Sequence, residues 1–168
     1  MTALDDLRAR ARDILDDNWI GASTLPSKSL YPHQWSWDSA FIAIGRSSYD
    51  GGRAQQELKT LFGAQWANGM LPHIVFNPSV AEDAYFPGPA FWQSSARSPN
   101  APRAPETSGI TQPAIHARAA LEMHRHAADP DGSLAFLRWL YDDKQLSRWL
   151  ASDGCWSPIR TRSCHCSQ

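Results

Sequence analysis

The chain has 168 residues, with 16 Lys and Arg against 17 Asp and Glu, so its formal net charge is −1. Neither sign of charge forms a long run, which argues against nucleic acid as a partner. No apolar run approaches the roughly 20 residues needed to cross a bilayer. The first residues lack the pattern of a signal peptide. We therefore expect a cytoplasmic protein without a membrane partner.

Helical periodicity and end signals predict an all-α fold. The expected helices are at 3–18, 36–48, 51–66, 111–128 and 133–150. Thr2 and Ser36 are predicted to cap the first two, and Asp50 to start the third. Thr111, followed by Pro113, is predicted to open the fourth. No strand alternation is visible.

The faces of the first three helices predict alternating outer and inner positions. The first is amphipathic, which is typical of an outer helix. The second is apolar nearly all round, so we expect it to be inner and covered on both sides. In the third, Ala54, Leu58 and Leu61 form one stripe, and Glu57 is predicted to point largely elsewhere.

A long segment, 65–109, contains too many Pro and Asn-Gly signals for long helices. It also contains several aromatic side chains, which argues against a disordered linker. Structureless stretches of this length inside a compact domain are usually functional. We therefore expect it to fold over one end of the helices and to line a pocket.

The most distinctive stretch runs from Tyr31 to Phe41 and combines Tyr31, Trp35 and Trp37 with the carboxylate of Asp38. Aromatic faces can cover the C–H faces of a sugar, and a carboxylate can accept hydrogen bonds from its hydroxyls. Two simpler explanations stay open, because Trp and Tyr are common core residues and Asp38 could act at a helix start.

Other chemistries find little support in the sequence. There is no nucleophile elbow, no phosphate-binding Gly loop and no dinucleotide fingerprint, so no cofactor is expected. The His residues and the three C-terminal residues Cys155, Cys164 and Cys166 lack the spacing of a zinc site. No metal is predicted.

Four motifs in the right order resemble the mannosylglycerate and glucosylglycerate hydrolases of glycoside hydrolase family sixty-three. They lie at 31–45, 69–76, 85–89 and 107–113, and the resemblance extends from about Leu4 to about Tyr141. It implies an incomplete (α/α) six-hairpin toroid with long aromatic- and Pro-rich loops, and a small glycoside as the partner.

The same resemblance implies a set of substrate-binding residues at the inner end of a pocket. By motif position, these are Tyr31, Trp37, Asp38, Tyr85 and Gln112. The aromatic rings would serve as platforms, Asp38 would accept from hydroxyls, and Gln112 would act as a two-way amide. Without the family, Gln112 would be interpreted as a capping amide at a helix start. His33, His73 and Trp35 are expected to pack behind the sugar.

The family's two catalytic carboxylates have no match in this chain. The family's acid motif, Trp-Glu-Ser-Gly-x-Asp-Asn-Ser, does not follow Tyr141, and its base would lie beyond the chain's length. We therefore predict a family portion at 1–143 and a divergent, out-of-frame or disordered tail at 144–168, with no catalytic residue and no hydrolysis. The alternative hypothesis is a non-catalytic sugar-binding or helical interaction protein.

Overall fold

A computed structural model of the chain describes residues 2–127 and, beyond them, residues 131, 134, 135 and 138. The described part is mostly helical with one small sheet. The helices, in chain order, are α1 (Ala3–Asp17), α2 (Ser36–Ser47), α3 (Gly51–Gly63), the single turns α4 (Pro89–Trp92) and α5 (Ser94–Arg97), and α6 (His116–Arg125). The strands are β1 (Gln34–Trp35) and β2 (Ile74–Val75), which pair antiparallel with Gln34 opposite Val75.

The predicted helix positions agree with the structure for the first four helices, with differences at their ends. The fifth, at 133–150, lies outside the described residues except for 134, 135 and 138, and so does the tail at 144–168. The small sheet was not predicted, since two residues in each strand are too few to show alternation. None of the described helices is long and apolar enough to span a membrane.

Two predicted caps are confirmed, the predicted cap Ser36 is wrong, and the predicted start of the fourth helix at Thr111 is wrong. Thr2 forms a capping box with Asp5, and Asp50 accepts from Arg53 N at 3.0 Å. The N-cap of α2, however, is Trp35, and the Ser36 amide donates to the His73 carbonyl at 2.9 Å. The helix α6 starts at His116 rather than at Thr111, because Gln112 in the preceding residues bonds to the start of α2.

The hydrophobic core lies between α2, α3 and α6. Small residues on α2, Ala40 and Ala43, pack against the larger Leu58 and Leu61 of α3, and Met123 of α6 closes the cluster. The small α2 residues permit close approach of the helices, so α3 and α6 both pack on α2. Because both helices pack on α2, the start of α2 lies where the main elements of the described fold meet.

The covering of α2 on both sides is not observed in the described part of the chain. Phe41 is 56% exposed and Trp37 is 39% exposed. The buried side of α2 instead consists of small or polar residues, including Ser36, Ser39 and Ala40. The expected inner helix therefore has one open, aromatic face.

The first helix is attached by its C-terminal end. α1 has no buried residue, and Leu4, Leu7 and Ile14 are exposed. Its anchor is the fully buried guanidinium of Arg46, which donates to Asp16 Oδ1 at 2.8 Å and to the Leu15 carbonyl at 2.6 Å. An outer helix was expected, but its apolar stripe lies open to solvent here.

Candidate functional site

The candidate site is built around the start of α2, where three distant segments meet. His73, next to β2, accepts from the Ser36 amide, and its own amide donates to the Ile110 carbonyl at 2.8 Å. Gln112 then reaches the next amide, because its Oε1 accepts from Trp37 N at 2.9 Å. The first backbone donors of a helix need such partners, since none exists within the helix itself. These contacts fix where Trp37 and Asp38 lie.

The contact with Trp37 N uses one acceptor position of the Gln112 side chain. Oε1 keeps a second lone pair and Nε2 keeps its N–H donors, so the two-way role toward a ligand stays a prediction. The capping interpretation also applies, although the helix start is that of α2 rather than that of Gln112's own helix. Both roles can hold together, since the bond to Trp37 N leaves acceptor and donor capacity on the same side chain.

Aromatic side chains form a second group beside the helix start. Trp35 contacts Tyr31 with ring centroids 5.4 Å apart, and Tyr85 with centroids 6.4 Å apart, both edge to face. Tyr85 also packs on His33 at 4.8 Å. The segment 65–109 thus returns to the start of the helices, and Trp35 joins the two tyrosines.

Asp38 is half-buried in the first turn of α2, next to Trp37. Burial raises the pKa of its carboxyl above the usual value, and a hydrogen bond from its own backbone partly opposes that shift. A carboxylate at a helix N-terminus also benefits from the helix dipole. Within the described residues, no hydrogen bond or ring contact joins the Asp38 side chain to the other four predicted residues.

The structure thus places the five predicted residues in two groups. One group is Tyr31 with Tyr85, through Trp35, and the other is Trp37 with Gln112 and the neighbouring Asp38. A cavity of about 670 Å³ beneath the segment 76–106 is lined by Tyr85 and His33 but not by the other four. Convergence of all five on one concave surface stays a prediction.

The histidines near the site, His33 and His73, are buried. His33 Nδ1 accepts from Asn77 N at 3.1 Å, and His73 Nδ1 lies 2.6 Å from Ser108 Oγ. Burial lowers the pKa of both imidazoles. These contacts give both residues partners within the protein, and their expected position behind a sugar stays a prediction.

Two buried groups near the site were missed or misplaced by the sequence analysis. Glu57 was expected to point away from the core, but its side chain is fully buried. Its position, three residues after Ala54 and four before Leu61, is the signal that could have placed it inward. His116, whose Nε2 lies 3.0 Å from the Ser36 carbonyl, was not singled out at all.

A family model, described as the mannosylglycerate hydrolase MGH1-like glycoside hydrolase domain, matches residues 31–153. The chain belongs to this family. The matched range contains the start of α2 and every residue of both site groups. The match extends past Tyr141. The boundary at residue 143 between the family portion and the tail stays a prediction.

Individual relatives in the family agree with this assignment. The chain is 53% identical over 133 residues to the mannosylglycerate hydrolase of Rubrobacter radiotolerans, covering 79% of this chain and 29% of that protein. It is 49% identical over 152 residues to the glucosylglycerate hydrolase of Mycolicibacterium hassiacum, covering 86% of this chain and 33% of that protein. The chain therefore spans about a third of the length of these relatives.

Solved structures of the family are similar as well. The family sixty-three mannosylglycerate hydrolase of Thermus thermophilus, crystallised with Tris and D-glycerate, superposes with a TM-score of 0.72 at 43% identity. The match covers 86% of this chain and 32% of that one. The resemblance proposed from the four motifs is thereby confirmed.

Proposed function

We propose that this chain forms the amino-terminal part of the sugar pocket of a family glycosidase. Its ligand would be a small glycoside of the glucosylglycerate or mannosylglycerate type. The observation that supports this most is the bond from Trp37 N to Gln112 Oε1. It places an exposed ring, a carboxylate and an amide donor at one helix start, and these are the groups that bind a sugar.

Within this proposal, Tyr31, Trp37, Asp38, Tyr85 and Gln112 contact the sugar. The described fold is one portion of an (α/α) toroid, in which further hairpins would cover the open face of α2. Residues 1–143 make up this portion, and 144–168 are a divergent tail. Sequencing the genomic DNA past residue 141 in the other frames tests the boundary, because the missing acid motif should reappear there.

A ligand titration tests the binding proposal. Purified full chain is titrated with glucosylglycerate and with mannosylglycerate by isothermal calorimetry, alongside Trp37→Ala and Leu121→Ala. Both residues are large, apolar and about two-fifths exposed, but Leu121 lies on α6 outside the two site groups. Binding should be lost in the first variant and kept in the second. Equal loss in both, or no binding by the unaltered chain, would overturn the proposal.

We also propose that the chain by itself does not hydrolyse glycosides. An inverting hydrolase needs an acid and a base about 6.5–9.5 Å apart, and neither family carboxylate has a match here. Each such group contributes about 10²–10⁴-fold to the rate. Incubation with both glycosides should give no free sugar. Turnover that Asp38→Ala abolishes would show that catalysis uses groups within this chain.

The second candidate is a helical interaction protein in the cytoplasm, and one observation favours it. The apolar residues Leu4, Leu7 and Ile14 of α1 are all more than half exposed. Such a stripe is typical of a contact surface. Specific association that a Leu7→Ser variant prevents, combined with failure to bind either glycoside, would favour this function over sugar binding.

A further inference from the structure

Glu57 is a buried carboxyl group that the proposed binding function leaves unexplained. Its side chain has no solvent exposure. Burial raises the pKa of its carboxyl, and hydrogen bonds from Ser39, Thr24 and Gln34 oppose that rise. These three donors are all neutral groups. Burial of an acid is costly unless its oxygens have partners, so these hydrogen bonds should explain its presence.

Those donors come from three separate segments. Glu57 Oε2 accepts from Thr24 N at 2.7 Å, in the loop before the aromatic stretch. Glu57 Oε1 accepts from Ser39 Oγ at 2.6 Å and from Gln34 Nε2 at 3.2 Å. The Gln34 amide also donates to the Glu57 carbonyl at 3.0 Å and to Ser39 Oγ at 3.1 Å. One carboxylate thus joins α3 to the loop, to β1 and to α2.

The two side chains that donate to Glu57 Oε1 stand before and after the candidate site residues Trp37 and Asp38 in the sequence. Gln34 precedes Trp35, and Ser39 follows Asp38. Both are buried, whereas Trp37 between them is exposed. The segment 34–39 is therefore attached at both ends to one oxygen atom, and the side chains that would contact a ligand project between those attachments.

A carboxylate suits this position better than an amide does. Both of its oxygens accept hydrogen bonds and neither donates. A Gln at this position would direct its NH₂ group either at the Thr24 backbone donor or at the Gln34 amide and Ser39 hydroxyl. The Thr24 N–H can only donate, and Gln34 Nε2 already donates to three acceptors, so neither can accept from an NH₂ group. The arrangement therefore requires the acid itself.

We propose that Glu57 is a positioning residue for the sugar site, which fixes Trp37 and Asp38 by attaching the segment 34–39 to α3. The inference deepens the proposed function and depends on it for the ligand, but not for the geometry. Variants that break the contacts of Glu57 should displace the Trp37 ring. A variant that only lowers the stability of the fold should not displace it.

The test uses full-length chain labelled with 5-fluorotryptophan, with the Trp37 resonance assigned from a Trp37→Phe variant. Glu57→Gln and Ser39→Ala should both shift or broaden this ¹⁹F resonance. Ser47→Ala is the matched control, since it also removes a buried hydroxyl from α2, but one that bonds to the Ile44 carbonyl at the far end. The control should leave the resonance in place. Because Ser39 acts through Glu57, the double variant should displace it less than additively.

The ligand titration separates this inference from the proposed function. If the unaltered chain binds the glycosides, Glu57→Gln and Ser39→Ala should weaken affinity by on the order of tenfold, as expected for a lost hydrogen bond to a charged group. If it does not bind them, the proposed function fails, and the ¹⁹F result still decides the role of Glu57. An unmoved Trp37 resonance in folded Glu57→Gln and Ser39→Ala would overturn the inference. A shift of the same size in Ser47→Ala would do so as well.

Discussion

Gln112 Oε1 accepts a hydrogen bond from the backbone amide of Trp37 at 2.9 Å, across 75 positions of sequence. The start of α2 therefore depends on residues that the chain supplies only after its long loop-rich segment. α2 also has no side-chain cap of its own, since its N-cap residue is Trp35. The geometry of the candidate site and the stability of this helix end are consequently linked.

Replacing Gln112 by Ala should destabilise the chain by about 1 kcal/mol, the usual effect of losing a helix cap. Gln56→Ala is the control, because that exposed amide bonds to Thr60 on its own helix. Its cost should be about 0.2–0.5 kcal/mol. Pulse proteolysis across a urea series measures both. Equal midpoints for the two variants would contradict a capping role for Gln112.

Attachment of α1 should weaken in acid, through Asp16. The hydrogen bond from Arg46 lowers the pKa of the Asp16 carboxyl. A group with a lowered folded-state pKa stabilises the fold above its unfolded-state pKa, and this contribution is lost as pH falls through the folded-state value. Limited proteolysis of α1 should therefore accelerate below about pH 4 when measured with pepsin, which is active there and cleaves at leucines such as Leu4 and Leu7, while trypsin serves at neutral pH.

The matched pair for that experiment is Asp16→Asn against Asp17→Asn. Both remove one carboxylate from the last turn of α1, but only Asp16 bonds to the buried Arg46 and to Arg53. Asp16→Asn should show fast α1 cleavage already at neutral pH, whereas Asp17→Asn should behave as the unaltered chain does. Identical cleavage in both variants would mean that the Arg46 contact does not retain the helix.

As the pH falls, sugar binding should begin to weaken at a higher pH than it would if Asp38 had the pKa of an ordinary aspartate. Burial raises the pKa of Asp38, so this carboxyl takes up its proton earlier as the pH falls. A protonated carboxyl is a poorer acceptor for sugar hydroxyls. Affinity should therefore rise with pH through the raised pKa and then level off. Asp38→Asn should bind weakly and without this pH dependence.

The same shift has the opposite effect on folding. Because the folded state holds the Asp38 proton more tightly than the unfolded state, the contribution of Asp38 to stability is fully present below the unfolded-state pKa. It falls as pH rises through the raised folded-state pKa. Asp38→Asn should lack this loss of stability. If the urea midpoint of Asp38→Asn still falls as pH rises over that range, the loss of stability belongs to another group. Glu57 is the first alternative.

The open face of α2 should limit the solubility of the isolated chain. Phe41 is more than half exposed and lies 5.9 Å from the Trp37 ring. Exposed apolar patches promote association. Phe41→Ser should raise the soluble, monomeric fraction in size-exclusion chromatography, whereas Phe62→Ser, in the core, should lower it. A fully monomeric unaltered chain would contradict this expectation.

Sequence patterns predicted the positions of the helices better than they predicted the contacts that each helix makes. Thr2 and Asp50 act locally, so their caps could be recognised from neighbouring residues. The start of α2 could not, because its partners His73 and Gln112 are distant in sequence. Glu57 was misjudged because a charged residue is usually exposed. Only the fold shows that three polar segments converge on its carboxylate.

The contact between His116 and Ser36 also determines when this region can form. The two residues are 80 positions apart, and His116 Nε2 lies 3.0 Å from the Ser36 carbonyl. A ribosome adds roughly 5–20 residues per second, so the 80 positions take about 4–16 s to synthesise. Once residue 63 has been added, the nascent chain contains the sequences of α2 and α3 but not that of α6, which contacts the start of α2. The nascent chain's aromatic residues are therefore exposed to chaperones before the candidate ligand site can form.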